Sequence, residues 1–344
     1  LKKAKKFIFI EYFIINNGTM WQGILDILKE KANSGLDVRV LYDDMGSFAM
    51  LPSNYPKLLG KYGIKCMQFN KLSPFAGIIM NNRDHRKMMI IDGHTVFSGG
   101  INISDEYINI NSKLGVWKDN GIRIKGEAVW NFTVMFLEMW NSFKKEDNDY
   151  NKYKYNFTEK YKENAFVVPY GESPLDDVIT GEDIYLNIIN QAKKYVYIYT
   201  PYLIIDTDMI NSLILAARRG VDVRIVVPGI PDKKIVYDLT SSYFYTLIKG
   251  GVKIYTYTNG FVHSKVFLSD DEIATVGTIN LDYRSLYLHF ECGIYMKDTN
   301  VIKDIKKDFE DSFKESHKVD EREAKNGLFK GLWQAILRLF APIM

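Results

Sequence analysis

Residues 85–102, HRKMMIIDGHTVFSGGIN, and residues 263–280, HSKVFLSDDEIATVGTIN, carry the same five residue types at the same offsets. Counted from the histidine, Lys, Asp, Gly and Asn fall at +2, +7, +14 and +17, so His85, Lys87, Asp92, Gly99 and Asn102 answer His263, Lys265, Asp270, Gly277 and Asn280. With each position matched by chance roughly one time in twenty, two such agreements in one chain are not noise. A chain with this repeat has to fold as two copies of one unit.

The repetition extends well beyond the two motifs. AKKFIFIEYFI at 4–14 parallels AKKYVYIYTPYL at 192–203, SGLDVRVLYDD at 34–44 parallels RGVDVRIVVPG at 219–229, and YGIK at 62–65 answers GGVK at 250–253. In each half an apolar strand precedes an amphipathic helix that stops at a glycine, Gly35 or Gly220, and a β-branched strand follows. That order is the βαβ signature, so both halves are expected to be α/β with mixed, mainly parallel, buried sheets. The polar stretch at 144–164 lacks apolar periodicity and reads as an exposed connection. The expected division is a first unit at 1–145, a linker at 146–165, a second unit at 166–315 and a tail at 316–344. A pseudo-two-fold arrangement would bring both motifs to one shared cleft, the kind of interface that ligand sites favour.

At 344 residues, 47% hydrophobic and 25% charged, the chain is globular and can bury two substantial cores. Its net charge of +3 is too mild to announce a nucleic-acid binder, and Lys2, Lys3, Lys5 and Lys6 form the one dense basic cluster. Cys66 and Cys292 lack a C-x-x-C spacing, which argues against a disulfide framework or a zinc site and leaves both as core residues. FIFIEYFII is too short and carries Glu11, so no run here would span a bilayer. The start at Leu1 points to a processed or partial chain, with any targeting or membrane segment lying upstream.

Strand side chains alternate, so His85 and Lys87 share a face that Arg86 does not. Two lysines and two asparagines supply cations and donors for a tetrahedral anion, which suits a phosphoryl group. The two histidines can divide the work: one attacks phosphorus as neutral imidazole while the other delivers, then withdraws, a proton. A metal site competes for these residues. Two lysine cations beside the imidazoles disfavour it, and no third His or Cys is evident to complete a ligand set.

H-x-K-x4-D followed by G-G/T-x-N, present twice, resembles the phospholipase D superfamily. GGINISDEY (99–107), WKDNGIRIKGEAV (117–129), TPYLIIDTDMINSLILAARRGVDVRIVVPG (200–229) and GTINLDYRSLYLHFE (277–291) are similar to its bacterial cardiolipin synthase branch. The resemblance implies two duplicated units around one active site. It also implies conversion of two phosphatidylglycerol molecules to cardiolipin and glycerol through a phosphatidyl-histidine, with no cofactor and no metal in the catalytic step. The implied catalytic set is His85, Lys87, Asp92, His263, Lys265 and Asp270, with Asn102 and Asn280 on the phosphate. By the same resemblance Asp119 orients the first histidine and Glu291 the second, and His85 is the attacker. Asp92 and Asp270, each at a turn, are equally suited to capping it. In the family's pattern an Asn often stands where His289 stands. A phospholipase D-type hydrolase, acting on phospholipid or nucleic-acid phosphodiesters, is the alternative, and an inactive lipid-binding scaffold would not need complete motifs.

The expected partners are phosphatidylglycerol and membrane lipid, with no nucleic acid. The resemblance implies a place at the bacterial cytoplasmic membrane, and N-terminal transmembrane helices usual in that family are not in this sequence. LFKGLWQAILRLF at 328–340 sets Lys330, Gln334 and Arg338 opposite Leu328, Phe329, Leu332, Trp333, Ile336 and Leu337, the pattern of a helix lying in a membrane surface. A helix docked on the protein's own core, or a subunit contact in an oligomer, would show the same pattern.

Overall fold

The structure, a computed structural model, describes residues 1–71, 81–158 and 165–343. The repeat in each half starts with a fully buried strand, Phe7–Tyr12 or Tyr195–Tyr199, the second of them preceded by strand Phe166–Glu172 and helix Thr180–Gln191. Burial on both faces asks for a continuous apolar and aromatic run, which FIFIEY and YVYIY supply. The helices Thr19–Asn33 and Thr207–Arg218 then cover the sheet and lead to parallel strands Asp37–Asp43 and Asp222–Pro228, in equivalent register: Phe7 beside Asp37, Tyr195 beside Asp222. Gly35 and Gly220, at φ of 87° and 92°, end the helices in a conformation that a Cβ would strain. A third parallel strand, Lys65–Phe69 or Lys253–Tyr257, completes this part of each half.

The motif hairpins add to the other side of the first strand and are antiparallel to it: Lys87–Ile91 with Thr95–Gly99, and Val266–Ser269 with Ile273–Gly277. This corrects the expectation of mainly parallel sheets. Each sheet is mixed, because the tight turns at 92–94 and 270–272 can join only antiparallel neighbours. Among the described residues the result is one six-stranded and one nine-stranded sheet, built on the same strand order in each half.

One apolar cluster joins the halves. Helix Val129–Phe143 buries Phe132 and Phe136, with Phe136 stacked on Phe9 at 4.6 Å. Helix Val301–Lys314 buries Phe309, which stacks on Tyr199 at 3.9 Å in the same cluster. The chain also crosses between halves: Gly260–Val262 pairs with Val116–Lys118, and Arg83–Asp84 pairs with His289 and Phe290.

The expected linker is only partly a linker. Asp147 is buried and ion-paired to Arg39 at 2.5 Å, and the buried Tyr153 hydroxyl accepts from Arg39 at 2.6 Å, so the stretch through Tyr153 belongs to the first core. A buried Arg39 requires those partners. Residues 159–164 of that stretch lie outside the described residues.

Candidate active site

A cavity of about 520 Å³ is lined by His85 and His263 together, with Asn102 and Asn280 in the same wall. Each histidine is anchored to the opposite half, for the His85 N–H donates to the Phe290 carbonyl at 2.9 Å and the His263 N–H to the Lys118 carbonyl at 2.7 Å. Ring contacts hold the imidazoles further: Phe13 meets His85 edge-on at 4.9 Å, and Tyr107 meets His263 edge-on at 5.3 Å.

The carboxylates also cross over. His85 Nδ1 lies 2.8 Å from Glu291 Oε1 and 3.0 Å from Oε2, and His263 Nδ1 lies 2.7 Å from Asp119 Oδ2. The expected pairing of Asp119 with the first histidine and Glu291 with the second is therefore corrected. The reason is the strand exchange: Val116–Lys118 runs beside Gly260–Val262 and carries Asp119 to His263, while Arg83–Asp84 runs beside His289 and Phe290 and carries His85 to Glu291. With Nδ1–H donated to a carboxylate, each ring keeps its Nε2 lone pair.

The motif glycines permit this approach. A Cβ at Gly100 would overlap the Asp119 carboxylate, and one at Gly99, whose φ is 139°, would strike the Asn120 carbonyl.

Lys87 and Lys265 are fully buried behind the rings and absent from the cavity lining, and each ammonium donates to the carbonyl of its own motif histidine. Burial pushes Lys87 down to about 8 and Lys265 to about 7, against the pull of Glu291 and Asp119. Burial likewise lowers His85 to about 3 and His263 to about 4; Lys87 and Lys265 add to this, and the paired carboxylates oppose it. Burial alone would raise Glu291 and Asp119, but the histidines and lysines beside them hold both below the usual carboxylate range. Burial thus favours neutral imidazoles, each set between a carboxylate and a buried lysine.

Asn102 is fixed as an acceptor from the Ile14 N–H at 3.2 Å and a donor to the Tyr107 hydroxyl at 2.7 Å. Asn280 donates to Asp282 at 2.9 Å. Asp92 and Asp270 stand elsewhere, which corrects their placement in the catalytic set. Asp92 accepts from the N–H groups of Lys5, Lys6 and Phe7, and Asp270 from those of Lys193, Lys194 and Tyr195. Both sit at turn positions with φ near 55°, at the end of the motif strand away from its lysine, where they hold the start of the first strand of each half.

One group of residues was missed. Tyr107, Trp117 and Phe261 wall the cavity around His263, and strand alternation from Asp119 would have pointed to Trp117. His289, noted in the sequence as a departure from the family's Asn, is a third histidine at the site: its Nδ1 is 3.6 Å from Glu291 Oε1, and its ring lies 5.5 Å from that of His85. Those three residues are a set of candidate metal-ligand atoms within 4.8 Å of one another.

Comparison with known proteins gives a consistent picture. A family model described as a cardiolipin synthase, phospholipase D-like domain matches residues 1–140 and 185–313. An uncharacterized protein of Streptococcus mutans serotype c is 48% identical over 345 residues, covering 100% of this chain and 75% of that one. Cardiolipin synthase 1 of Staphylococcus aureus is 38% identical over 355 residues, covering 100% of this chain and 70% of its own. The crystal structure of a phosphatidylserine synthase from Haemophilus influenzae superposes with a TM-score of 0.72 at 17% identity over 99% of this chain and 89% of that one, a likeness of fold.

Proposed function

The chain belongs to the phospholipase D-like cardiolipin synthase family, and from that premise we propose that its cavity joins two phosphatidylglycerol molecules into cardiolipin and glycerol. The observation that carries this reading is the pair of histidines from opposite halves, opening on one cavity and each backed by a carboxylate. In the first step His85 Nε2 attacks phosphorus, the bond to the glycerol oxygen breaks, and His263 supplies the proton that the departing oxygen needs. In the second, a hydroxyl of another phosphatidylglycerol gives its proton to His263 and attacks phosphorus, and the P–N bond breaks to restore His85.

The geometry is nearly symmetric, so the assignment of attacker rests on the family resemblance. An arriving phosphodiester brings the negative charge that favours protonated Lys87, Lys265 and His263, countering the burial that lowers all three. Trapping reactions by rapid quench is expected to place the lipid phosphate on the peptide containing His85, and pure phosphatidylglycerol vesicles are expected to yield cardiolipin. Phosphatidic acid as the main product would replace transfer with hydrolysis, and phosphate on the peptide containing His263 would reverse the two roles.

Helix Leu328–Leu339 supports a membrane-bound mode of work. No helix among the described residues is long and apolar enough to cross a membrane. This one docks through the buried Gln334 and Leu337: Gln334 Nε2 donates to the Asp238 carbonyl and Ser241 Oγ, both at 3.0 Å, and Arg338 Nε donates to Ser242 Oγ at 2.9 Å. The rest of the apolar stripe faces out, with Leu328 and Phe329 87% exposed and Leu332 63%. Such a patch on a protein whose substrate is a bilayer lipid is covered by that bilayer.

A further inference from the structure

The wall formed by the second motif holds buried polar atoms that the described structure leaves unsatisfied. His289 lines the cavity and is nine-tenths buried, yet neither ring nitrogen has a hydrogen-bond partner among the described residues. It lies two residues before Glu291 on strand His289–Lys297, hence on the same face, but at 3.6 Å from Glu291 Oε1 it is beyond hydrogen-bond reach. Beside it in the lining, Asn280 commits its Nδ2 to Asp282 and leaves its buried Oδ1 without a donor.

The chemistry of these atoms narrows what they can receive. A neutral imidazole offers one donor and one acceptor, and the amide oxygen offers a second acceptor. A phosphoryl oxygen, which only accepts, satisfies one of the three and is repelled by the others. An acyl chain satisfies none. A divalent cation at His85, His289 and Glu291 would have one carboxylate to balance it, with the Lys87 amine beside that carboxylate. Hydroxyl groups, each donor and acceptor at once, match the whole array.

We propose that His289, with Asn280 Oδ1, forms a hydroxyl-binding subsite that grips the polyol headgroup of the lipid and holds its reacting oxygen toward His263. This rests on the transferase reading above and adds what the site selects: a headgroup carrying free hydroxyls, as donor and as acceptor. His289 acts here as a positioning residue for the headgroup.

The test compares His289→Ala and His289→Asn with the parent protein on two donors, phosphatidylglycerol vesicles and phosphatidyl-p-nitrophenol, whose leaving group carries no further hydroxyl. His289→Ala is expected to lower kcat/KM for phosphatidylglycerol at least tenfold more than for the nitrophenyl ester, and to raise the share of phosphatidic acid among the products. His289→Asn, which keeps one donor and one acceptor, is expected to recover most of that loss. An equal loss on both donors would assign His289 to supporting the Glu291–His85 pair and overturn the subsite, and no loss on either would overturn it as well. A parent protein that cleaves the nitrophenyl ester but makes no cardiolipin would instead refute the transferase reading, a result visible before any variant is made.

Discussion

The proposed attack by His85 requires a neutral imidazole, and burial beside Lys87 favours that state at the expense of stability in acid. An unfolded histidine titrates near pH 6.5, whereas burial lowers His85 to about 3 and His263 to about 4. Between those values the unfolded chain binds protons that the folded chain refuses, so stability falls as pH drops, by up to about 1.4 kcal/mol per unit for each histidine. Denaturant midpoints measured from pH 7 to pH 5 are expected to fall steeply, and less so in His85→Asn/His263→Asn; an equal slope in both proteins would contradict the neutral assignment. The aspartates separate by the same logic of contact. Asp92→Ala leaves three backbone N–H groups without their acceptor and is expected to cost about 1–3 kcal/mol while the folded fraction keeps its turnover. Asp119→Asn keeps the shape but removes the charge behind His263, with an expected loss in kcat on the order of 10²–10⁴-fold. Comparable kinetic losses in both variants would return Asp92 to the catalytic set.

Strands and helices deliver these residues, and their errors are specific. The strand Val116–Lys118 works only because Gly99 and Gly100 let the chain that carries Asp119 lie against the motif strand's end. Gly100→Ala is expected to push Asp119 off His263, cutting turnover more than tenfold while the melting temperature moves by only a few degrees; full activity in that variant would show that the carboxylate can shift without consequence. The C-terminal helix presents the opposite face from an ordinary docked helix, since Gln334, 4% exposed, and Leu337, 6% exposed, are inside while Leu332 and Leu339 are out. Leu332→Glu/Leu339→Glu leaves the docked stripe intact and is expected to weaken vesicle binding more than turnover of a short-chain, detergent-dispersed substrate. Unchanged sedimentation with vesicles would leave that face for another copy of the chain.

On the scale of the molecule, the two halves share a core and a site, and neither is whole alone. The cluster between the sheets draws Phe9, Phe132 and Phe136 from one half and Tyr199, Val266 and Phe309 from the other. Residues 1–145 by themselves would expose that surface and leave His85 without Glu291. The separately produced halves are expected to be inactive, and turnover is expected to return when they are refolded together; turnover by one half alone would mean the site is not shared.

What the sequence by itself determined was what recurs locally. Apolar runs, glycine stops and fixed offsets specified two α/β units and marked His263 and Lys265 as the equivalents of His85 and Lys87, although His85 lies just outside the strand that begins at Lys87. Such features depend on neighbours a few residues apart, which a reader of the chain can see. The tertiary structure alone decided which carboxylate meets which histidine, because His85 and Glu291 are 206 residues apart and His263 and Asp119 are 144 apart. A pseudo-two-fold pairing is compatible with either match until strands cross between halves. It alone put Gln334 and Leu337 of the last helix against the protein and left Lys330 exposed, since an amphipathic pattern defines two faces and does not say where the protein meets them. It also brought His289 and Glu291, neighbours on one face of a strand, to His85 of the other half, with the two imidazole rings 5.5 Å apart.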